Sequence, residues 1–447
     1  MLSGWARVRF AAGDFAFNLL WQSVSIYLVY YYTDVLGLAV ETAALIFMVG
    51  SMWDGIADLA VGLLLDRLGG ARGAYRRVIA VGAVPLGLAF VAVYAVPVAG
   101  AGRSAAVLLM VQLAFRTVYA ATNVSYAALT TRITQASGER ASIVGLRMVF
   151  GTLAAALVAF GTAPVARLAG GQTDSAAGFL AVAVVLGLGA TAVLLPVALA
   201  VSEDRSLPPA ATSPQMFGVD VWRSVTGNAA LLWLGAAMAG AIAAMTVLTK
   251  MTLYYFKYVV GDAAAGTYAL GWLGIVGGVA VPVWMAFGRK LDRRRVWLAA
   301  AALGLAAIAA YAAIGGHGAL AAQIFLGAVQ FAFVGINFAF WSMLPDTIEY
   351  GERATGLRME ATSFGLAALS QKLALGTVTG VFGLAMGWVG YRANAAQLPA
   401  TLAGMRGIML GLPAAALIAS AACIAANPLR RGTHALIVAE LLARIPS

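Results

Sequence analysis

Apolar residues run along the chain in blocks of roughly twenty, the length a helix needs to cross a bilayer core, broken by short basic or glycine-rich segments. Twelve such runs lie near 12–33, 42–65, 78–97, 104–130, 142–164, 178–200, 227–256, 265–288, 296–314, 319–344, 362–389 and 400–426. The longest polar interruption, 201–225, contains Pro208, Pro209 and Pro214 and follows the sixth run. The pattern predicts an all-α membrane protein of 12 transmembrane helices in two six-helix halves, 1–200 and 226–426, with a linker at 201–225 and a tail at 427–447. In the tail, Leu436, Ile437, Leu441, Leu442 and Ile445 predict a short amphipathic helix lying on the membrane surface. The first run is too long for the core of a cleavable signal, and no small-residue cleavage site follows it.

Composition narrows the function classes. Of 447 residues, 62% are apolar and only 11% charged, where a soluble protein carries about 25% charged residues. That excludes an ordinary soluble enzyme, and neither a metal motif nor a nucleophile–base pair is visible. A lone Cys423 excludes an internal disulfide and a cysteine zinc site, and His317 and His434 are far apart. The net charge of +11 raises the question of a nucleic-acid partner. Its distribution answers it. With the N-terminus inside, twenty of the 29 Lys and Arg fall in inner segments and five (Arg103, Arg167, Lys257, Arg392, Arg406) in outer ones. This bias predicts cytoplasmic N and C termini and makes a nucleic-acid partner unnecessary. The remaining four, Arg116, Arg147, Lys250 and Lys372, lie inside spans.

A parallel repeat joins the halves. Residues 30–37, ending in Thr33, Asp34, Val35, Leu36 and Gly37, close the first span. Residues 254–261, starting Tyr254, Tyr255, Phe256 and ending Gly261, close the seventh, 224 positions later. The aromatic run is expected to serve as a belt at the outer interface.

Ionisable residues at mid-membrane need a reason, since each costs at least roughly 2.5–3.5 kcal/mol on insertion scales. Asp54 and Asp58 stand four apart, on one face of span two. Two close carboxylates repel unless a proton, a cation or a basic partner is shared; Lys372 and Arg147 are the available partners. A purely structural ion-pair network is the alternative. Span four carries Gln112, Arg116, Tyr119, Asn123, Tyr126 and Thr130 at steps of three and four, hence one polar stripe. Asp14, Asn18, Gln22, Ser25 and Tyr32 make a weaker stripe in span one. Gln323, Gln330, Asn337 and Trp341 follow one face of span ten. Such groups must face protein or a water-filled cavity, so a central cavity is expected, with interhelical hydrogen bonding as the plainer account. Gly376, Gly380, Gly383 and Gly387 in span eleven predict close helix packing.

Several stretches carry a family resemblance: Gly13 to Phe15, Tyr31 to Leu38, Trp53 to Asp58 with Gly62 and Asp66, Asn123 to Leu129, and Arg147 to Phe150. In the second half they are Tyr255 to Asp262, Leu344 to Glu352, and Gln371 to Leu373. On these the chain resembles the glycoside–pentoside–hexuronide:cation symporters, the melibiose-permease family within the major facilitator superfamily. The resemblance implies cation-driven uptake of a sugar by alternating access. It assigns the coupling cation to Asp54 and Asp58 and matches the family's span-five arginine and span-eleven lysine to Arg147 and Lys372. The chain departs from the melibiose branch where sugar-gripping aspartates become Asn18 and Asn123 and a stacking tryptophan becomes Ala127, so galactoside specificity does not carry over. Two sodium-ligand positions of that branch are Ala57 and Ala120 here, which offer no side-chain oxygen and favour proton over sodium coupling.

The expected substrate contacts are Asn18, Gln22, Arg116, Tyr119, Asn123, Arg147, Asn337, Trp341 and Lys372, with the indole stacking on a sugar face. Three cations, Arg116, Arg147 and Lys372, outnumber Asp54 and Asp58, which favours an acidic substrate such as a uronide. The expected protein is a monomeric importer of a small-molecule glycoside or uronide in a bacterial inner (plasma) membrane, without a cofactor. Competing readings are a proton antiporter exporting amphipathic compounds, whose usual Gly-x-x-x-Gly-Pro element span five lacks, and a lysolipid carrier, which the polar stripe of span four disfavours.

Overall fold

The computed structural model describes residues 4–67, 73–98, 104–133, 137–172, 175–200, 225–315, 318–356, 360–430, 432, 436–437 and 440. All but one residue of the expected linker, most of the expected tail helix, both histidines and the side chains of Asp66, Arg67 and Thr130 lie outside them.

Twelve long helices occupy the described residues: α1 (Gly4–Tyr30), α2 (Val40–Arg67), α3 (Ala74–Val98), α4 (Ala105–Ile133), α5 (Ser137–Gly170), α6 (Ala176–Ala200), α7 (Ala229–Tyr254), α8 (Ala263–Gly288), α9 (Arg293–Ala313), α10 (Ala319–Thr355), α11 (Glu360–Trp388) and α12 (Pro399–Ala426). Ten are long and apolar enough to cross a membrane; α1 and α11 fall outside that group. Arg7, Arg9, Asp14, Asn18 and Gln22 dilute the apolar run of α1, as Glu360, Gln371 and Lys372 do in α11.

The chain divides into two compact units, Met1–Pro214 with Gly383–Gln397, and Gln215–Phe382 with Leu398–Ser447. In the first, α1 packs on α5 and α6, α3 on α4 and α6, and α2 on α4. In the second, α7 packs on α12, α9 on α10 and α12, and α8 on α10, which repeats the α1–α6, α3–α4, α3–α6 and α2–α4 contacts six helices later. The sequence repeat has a backbone counterpart. A π-helical turn closes each repeat, Tyr31–Val35 after α1 and Tyr255–Val260 after α7. Each leads to a glycine in the left-handed region, Gly37 at φ 77° and Gly261 at φ 83°, where a Cβ is strained.

The aromatic run at these turns is no interface belt. Tyr31 and Tyr32 are fully buried, as are Tyr255 and Phe256. Tyr31 donates to the Tyr94 carbonyl at 3.1 Å and packs its ring 5.2 Å from Phe179. Tyr255 shares a 3.0 Å hydrogen bond with the Tyr311 hydroxyl, and Tyr311 stacks on Phe325 at 4.5 Å. A ring with a polar tip can be buried when that tip finds a partner. Carbonyls and hydroxyls inside each bundle do for Tyr31 and Tyr255 what interfacial water does at a belt, while the buried Tyr32 hydroxyl has no hydrogen-bond partner among the described residues.

One segment crosses from its half of the sequence. Gly383–Gln397 belongs to the first unit rather than to the 226–426 half. Gly383 allows it: a Cβ there would collide with Ala44 and stand 3.0 Å from the Val40 carbonyl. Beyond α11, Tyr391 donates to the Asp34 carboxylate at 2.6 Å and Asn394 to the Asp34 carbonyl at 2.6 Å.

The Leu344–Glu352 stretch is partly structural. Asn228, the N-cap of α7, accepts from the Leu231 amide at 3.0 Å and donates to the Thr347 carbonyl at 2.8 Å. Asp346 pairs with Arg293, and Arg353 with Glu440 at 2.8 Å. Ile437 is buried with Ala230 and Leu429, which ties this point of the tail to the second unit.

Candidate functional site

The charged interior of the first unit is built by α1, α2, α4 and α5. The backbone of α2 puts Asp54 and Asp58 one turn apart; Asp54 is fully enclosed and Asp58 half-buried. From α4, the Arg116 guanidinium comes within 3.8 Å of Asp54 Oδ2, with side-chain exposures of 1% and 0%. That separation is too long for a hydrogen bond. The pair is held by charge, and other groups set the position of the guanidinium. In the orientation its hydrogen bonding requires, the Gln112 carboxamide oxygen accepts from Arg116 Nε at 3.2 Å and Nη2 at 3.3 Å, while its nitrogen donates to the Ile46 carbonyl at 3.3 Å. The Trp21 and Phe47 rings lie 5.5 and 5.2 Å from the cation, within cation–π range. Gly50 leaves the space for this: a Cβ there would stand 2.7 Å from the Gln112 carboxamide and 3.0 Å from Arg116 Nε.

A second pair joins α5 to α1. Arg147 donates from Nε to Asp14 Oδ2 at 2.5 Å and from Nη2 to Asp14 Oδ1 at 3.2 Å. The planar fork meets both carboxylate oxygens, the strong form of a charge-assisted bond. Its guanidinium also lies 4.8 Å from the Tyr126 ring centre. Tyr126 is fixed in turn by its hydroxyl, which donates to the Phe10 carbonyl at 2.7 Å. One turn beyond Asp14, Asn18 Nδ2 donates to the Asp14 carbonyl at 2.9 Å, and bare Gly151 of α5 faces that amide. Tyr119 packs between the two pairs, its ring 5.7 Å from both Phe17 and Trp21.

These distances add two pairs to those expected from sequence: Arg147 binds Asp14, and Arg116 approaches Asp54. Lys372 lies half-buried on α11 in the second unit. The reason is rotational: α5 turns Arg147 toward α1, against which it packs, while α4 packs on α2 and presents Arg116 there. Arg116 was expected to line a cavity and is enclosed by protein; Tyr119 is also buried. In the α4 stripe, Gln112, Arg116 and Tyr126 act as interhelical contacts, whereas Asn123 stays half-buried. Gln22 is half-buried on α1.

In the second unit, Asn337 and Trp341 stand one turn apart on α10; Asn337 is half-buried and Trp341 is 44% exposed. Trp341 meets Phe340 edge-on at 5.2 Å. Gln323 is a packing contact, donating to the Ala265 carbonyl of α8 at 3.3 Å.

Two side chains escaped the expected site. Asp14 belongs to the span-one stripe, outside the expected substrate contacts, and the structure brings it to Arg147. The signal for it was its place four residues before Asn18 on the face opposite a span-five arginine. Trp21 carried no signal, since an indole in an apolar helix reads as core. Counting Asp14 removes the surplus of cations: Asp14, Asp54 and Asp58 then equal Arg116, Arg147 and Lys372 in number, with Arg147 on Asp14 and Arg116 near Asp54.

Comparison with known proteins agrees with this architecture. A family model for MFS/sugar transport proteins matches residues 9–431. The chain is 26% identical to an isoprimeverose transporter of Lactiplantibacillus pentosus, covering 88% of this chain and 81% of the relative. It is 27% identical to a candidate sulfoquinovose importer of Escherichia coli, covering 97% and 93%. It is 26% identical to a candidate 2,3-dihydroxypropane-1-sulfonate exporter of Salmonella typhimurium, covering 91% and 88%. Among solved structures it resembles a peptide transporter POT in complex with sulfate at a TM-score of 0.65 and 14% identity, covering 95% of this chain and 94% of that one, a likeness of fold alone. With the family model spanning both six-helix halves, this chain is an integral, multi-pass membrane protein that belongs to the MFS/sugar transport protein family, whose members are transporters and not enzymes.

Proposed function

We propose that the protein is a cation-coupled secondary transporter that imports a sugar, glycoside or uronide across a bacterial inner membrane by alternating access, with the proton as coupling ion. The observation that carries the coupling is the half-buried Asp58 one turn from a fully enclosed, arginine-paired Asp54. Positions 57 and 120, where the melibiose branch carries sodium ligands, are alanine and offer no side-chain oxygen, which supports a proton over sodium. Asn18, Gln22 and Asn123 on the first unit, and Asn337, Trp341 and Lys372 on the second, serve as substrate contacts in this reading. Arg147 joins them by opening its fork from Asp14 toward a substrate oxygen. An acidic sugar no longer follows from a cation surplus, because Asp14 removes it; a uronide stays within the substrate class on the strength of Arg147 alone.

The reverse direction has a specific observation in its favour, the relative named for sulfonate export. Uptake into vesicles with an imposed inward proton gradient separates the two. A panel of labelled neutral glycosides, uronic acids and sulfonated sugars should include one that accumulates above the equilibrium level. Accumulation should collapse when the gradient is dissipated, and Asp58→Asn should lose it while retaining exchange. Undiminished accumulation in de-energised vesicles, or gradient-driven extrusion alone, contradicts the import reading.

A further inference from the structure

We infer that Arg116 is a tethered counter-cation: its guanidinium occupies the electrostatic place of an inorganic coupling ion at Asp54 and makes the transporter refuse sodium. The inference deepens the proton-coupled reading, because it names the residue that sets ion selectivity.

The physical case starts from Asp54. Its side chain has no exposed surface, and an ionised carboxylate without water needs a positive charge nearby. Arg116 supplies one from within the protein, at 3.8 Å from Oδ2. The placement is built from three helices. Gln112 of α4 holds Nε and Nη2, Phe47 of α2 and Trp21 of α1 flank the cation, and Gly50 of α2 yields the space. Every one of these contacts acts on the guanidinium rather than on Asp54. The arrangement therefore fixes a cation at a chosen point, which is the task an ion site performs with a diffusible ion.

Sodium bonded to Asp54 Oδ2 would sit no more than about 6 Å from the guanidinium nitrogen that stands 3.8 Å from that oxygen, and two like charges at about 6 Å lower occupancy about a hundredfold at an effective dielectric near 20. The aromatic faces offer no oxygen ligands in exchange. An arginine also cannot neutralise itself by losing its proton, since its guanidinium stays charged in proteins. The block on metal ions is thus permanent, and the coupling proton is left to the half-buried Asp58.

Sodium itself is the probe, with no substrate present. Purified full-length protein is followed by equilibrium binding of labelled sodium and by thermal stability in sodium against choline. The wild type should bind no sodium saturably and show no sodium-dependent shift. Arg116→Gln should gain saturable sodium binding and a melting temperature raised by sodium. The double variant Asp54→Asn with Arg116→Gln removes both charges and should lose that binding while melting near the wild type. Saturable sodium binding by the wild type that Asp54→Asn abolishes overturns the inference. So does an Arg116→Gln protein that melts cooperatively and ignores sodium. If Arg116→Gln yields no folded protein in either salt, the wild-type arm decides alone. Failure of sugar uptake in the vesicle assay leaves these sodium results intact, so the two ideas fall separately.

Discussion

Arg116 and Asp54 stand 3.8 Å apart with almost no exposed surface, whereas Arg147 grips Asp14 at 2.5 Å with exposures of 20% and 15%. The first pair has the poorer contact and the deeper burial; the second has the better contact at an edge that solvent reaches. In the deep pair the cost of desolvation is high: Gln112 meets Nε and Nη2 and two aromatic rings flank the guanidinium, while Nη1, the nitrogen nearest Asp54, makes no hydrogen bond among the described residues. At the edge pair the forked geometry itself holds the two helices. The deep pair is shut off from solvent, whereas the edge pair lies where water can compete for its hydrogen bonds.

The largest expected effect breaks the deep pair. Arg116→Ala leaves Asp54 buried without its cation and should destabilise the protein by about 3–5 kcal/mol, as removal of one member of a buried pair does. Removing both charges with Asp54→Asn and Arg116→Gln should recover most of this, measured as melting temperature in detergent. Equal loss in the single and double variants contradicts a charge origin.

A smaller effect tests the space made for the deep pair. Gly50→Ala places a methyl against the Gln112 carboxamide and Arg116 Nε, and overpacking of this kind costs about 1–3 kcal/mol. The same change at Gly145 or Gly365, which have open space around them, should be close to silent. A silent Gly50→Ala shows that Gln112 can move aside.

The smallest stability effect belongs to the edge pair. Arg147→Lys keeps the charge and loses the fork, so melting should change by no more than about 1 kcal/mol, the range of solvent-reached pairs. Gradient-driven uptake should nevertheless fall about tenfold, the equivalent of one forked charge-assisted bond lost. A large stability loss with unchanged transport would make Arg147–Asp14 a structural lock like the deep pair.

Much of the fold was legible because the relevant signals are local. A run of about twenty apolar residues specifies a spanning helix without reference to neighbours. The 224-residue repeat was readable in its side chains, and its π turns and left-handed glycines recur at the same offset. The aromatic belt failed for a related reason. A tyrosine's sequence neighbours cannot say whether its hydroxyl meets interfacial water or a carbonyl on another helix, as Tyr31 does with Tyr94.

The sequence alone determined that charges enter the membrane part, on which helices, and on which face of each, since helical spacing follows from the backbone. It also determined the family through stretches spread over both halves. Only the tertiary structure decided which acid meets which base. Pairing depends on the rotation and approach of helices far apart in sequence. Thus Arg147 reaches across 133 positions to Asp14 because α5 packs on α1. Arg116 reaches Asp54 because Gly50 lets α4 and Gln112 close on α2. The same long-range approach placed Gly383–Gln397 with the first unit, where Tyr391 meets Asp34 from 357 positions away.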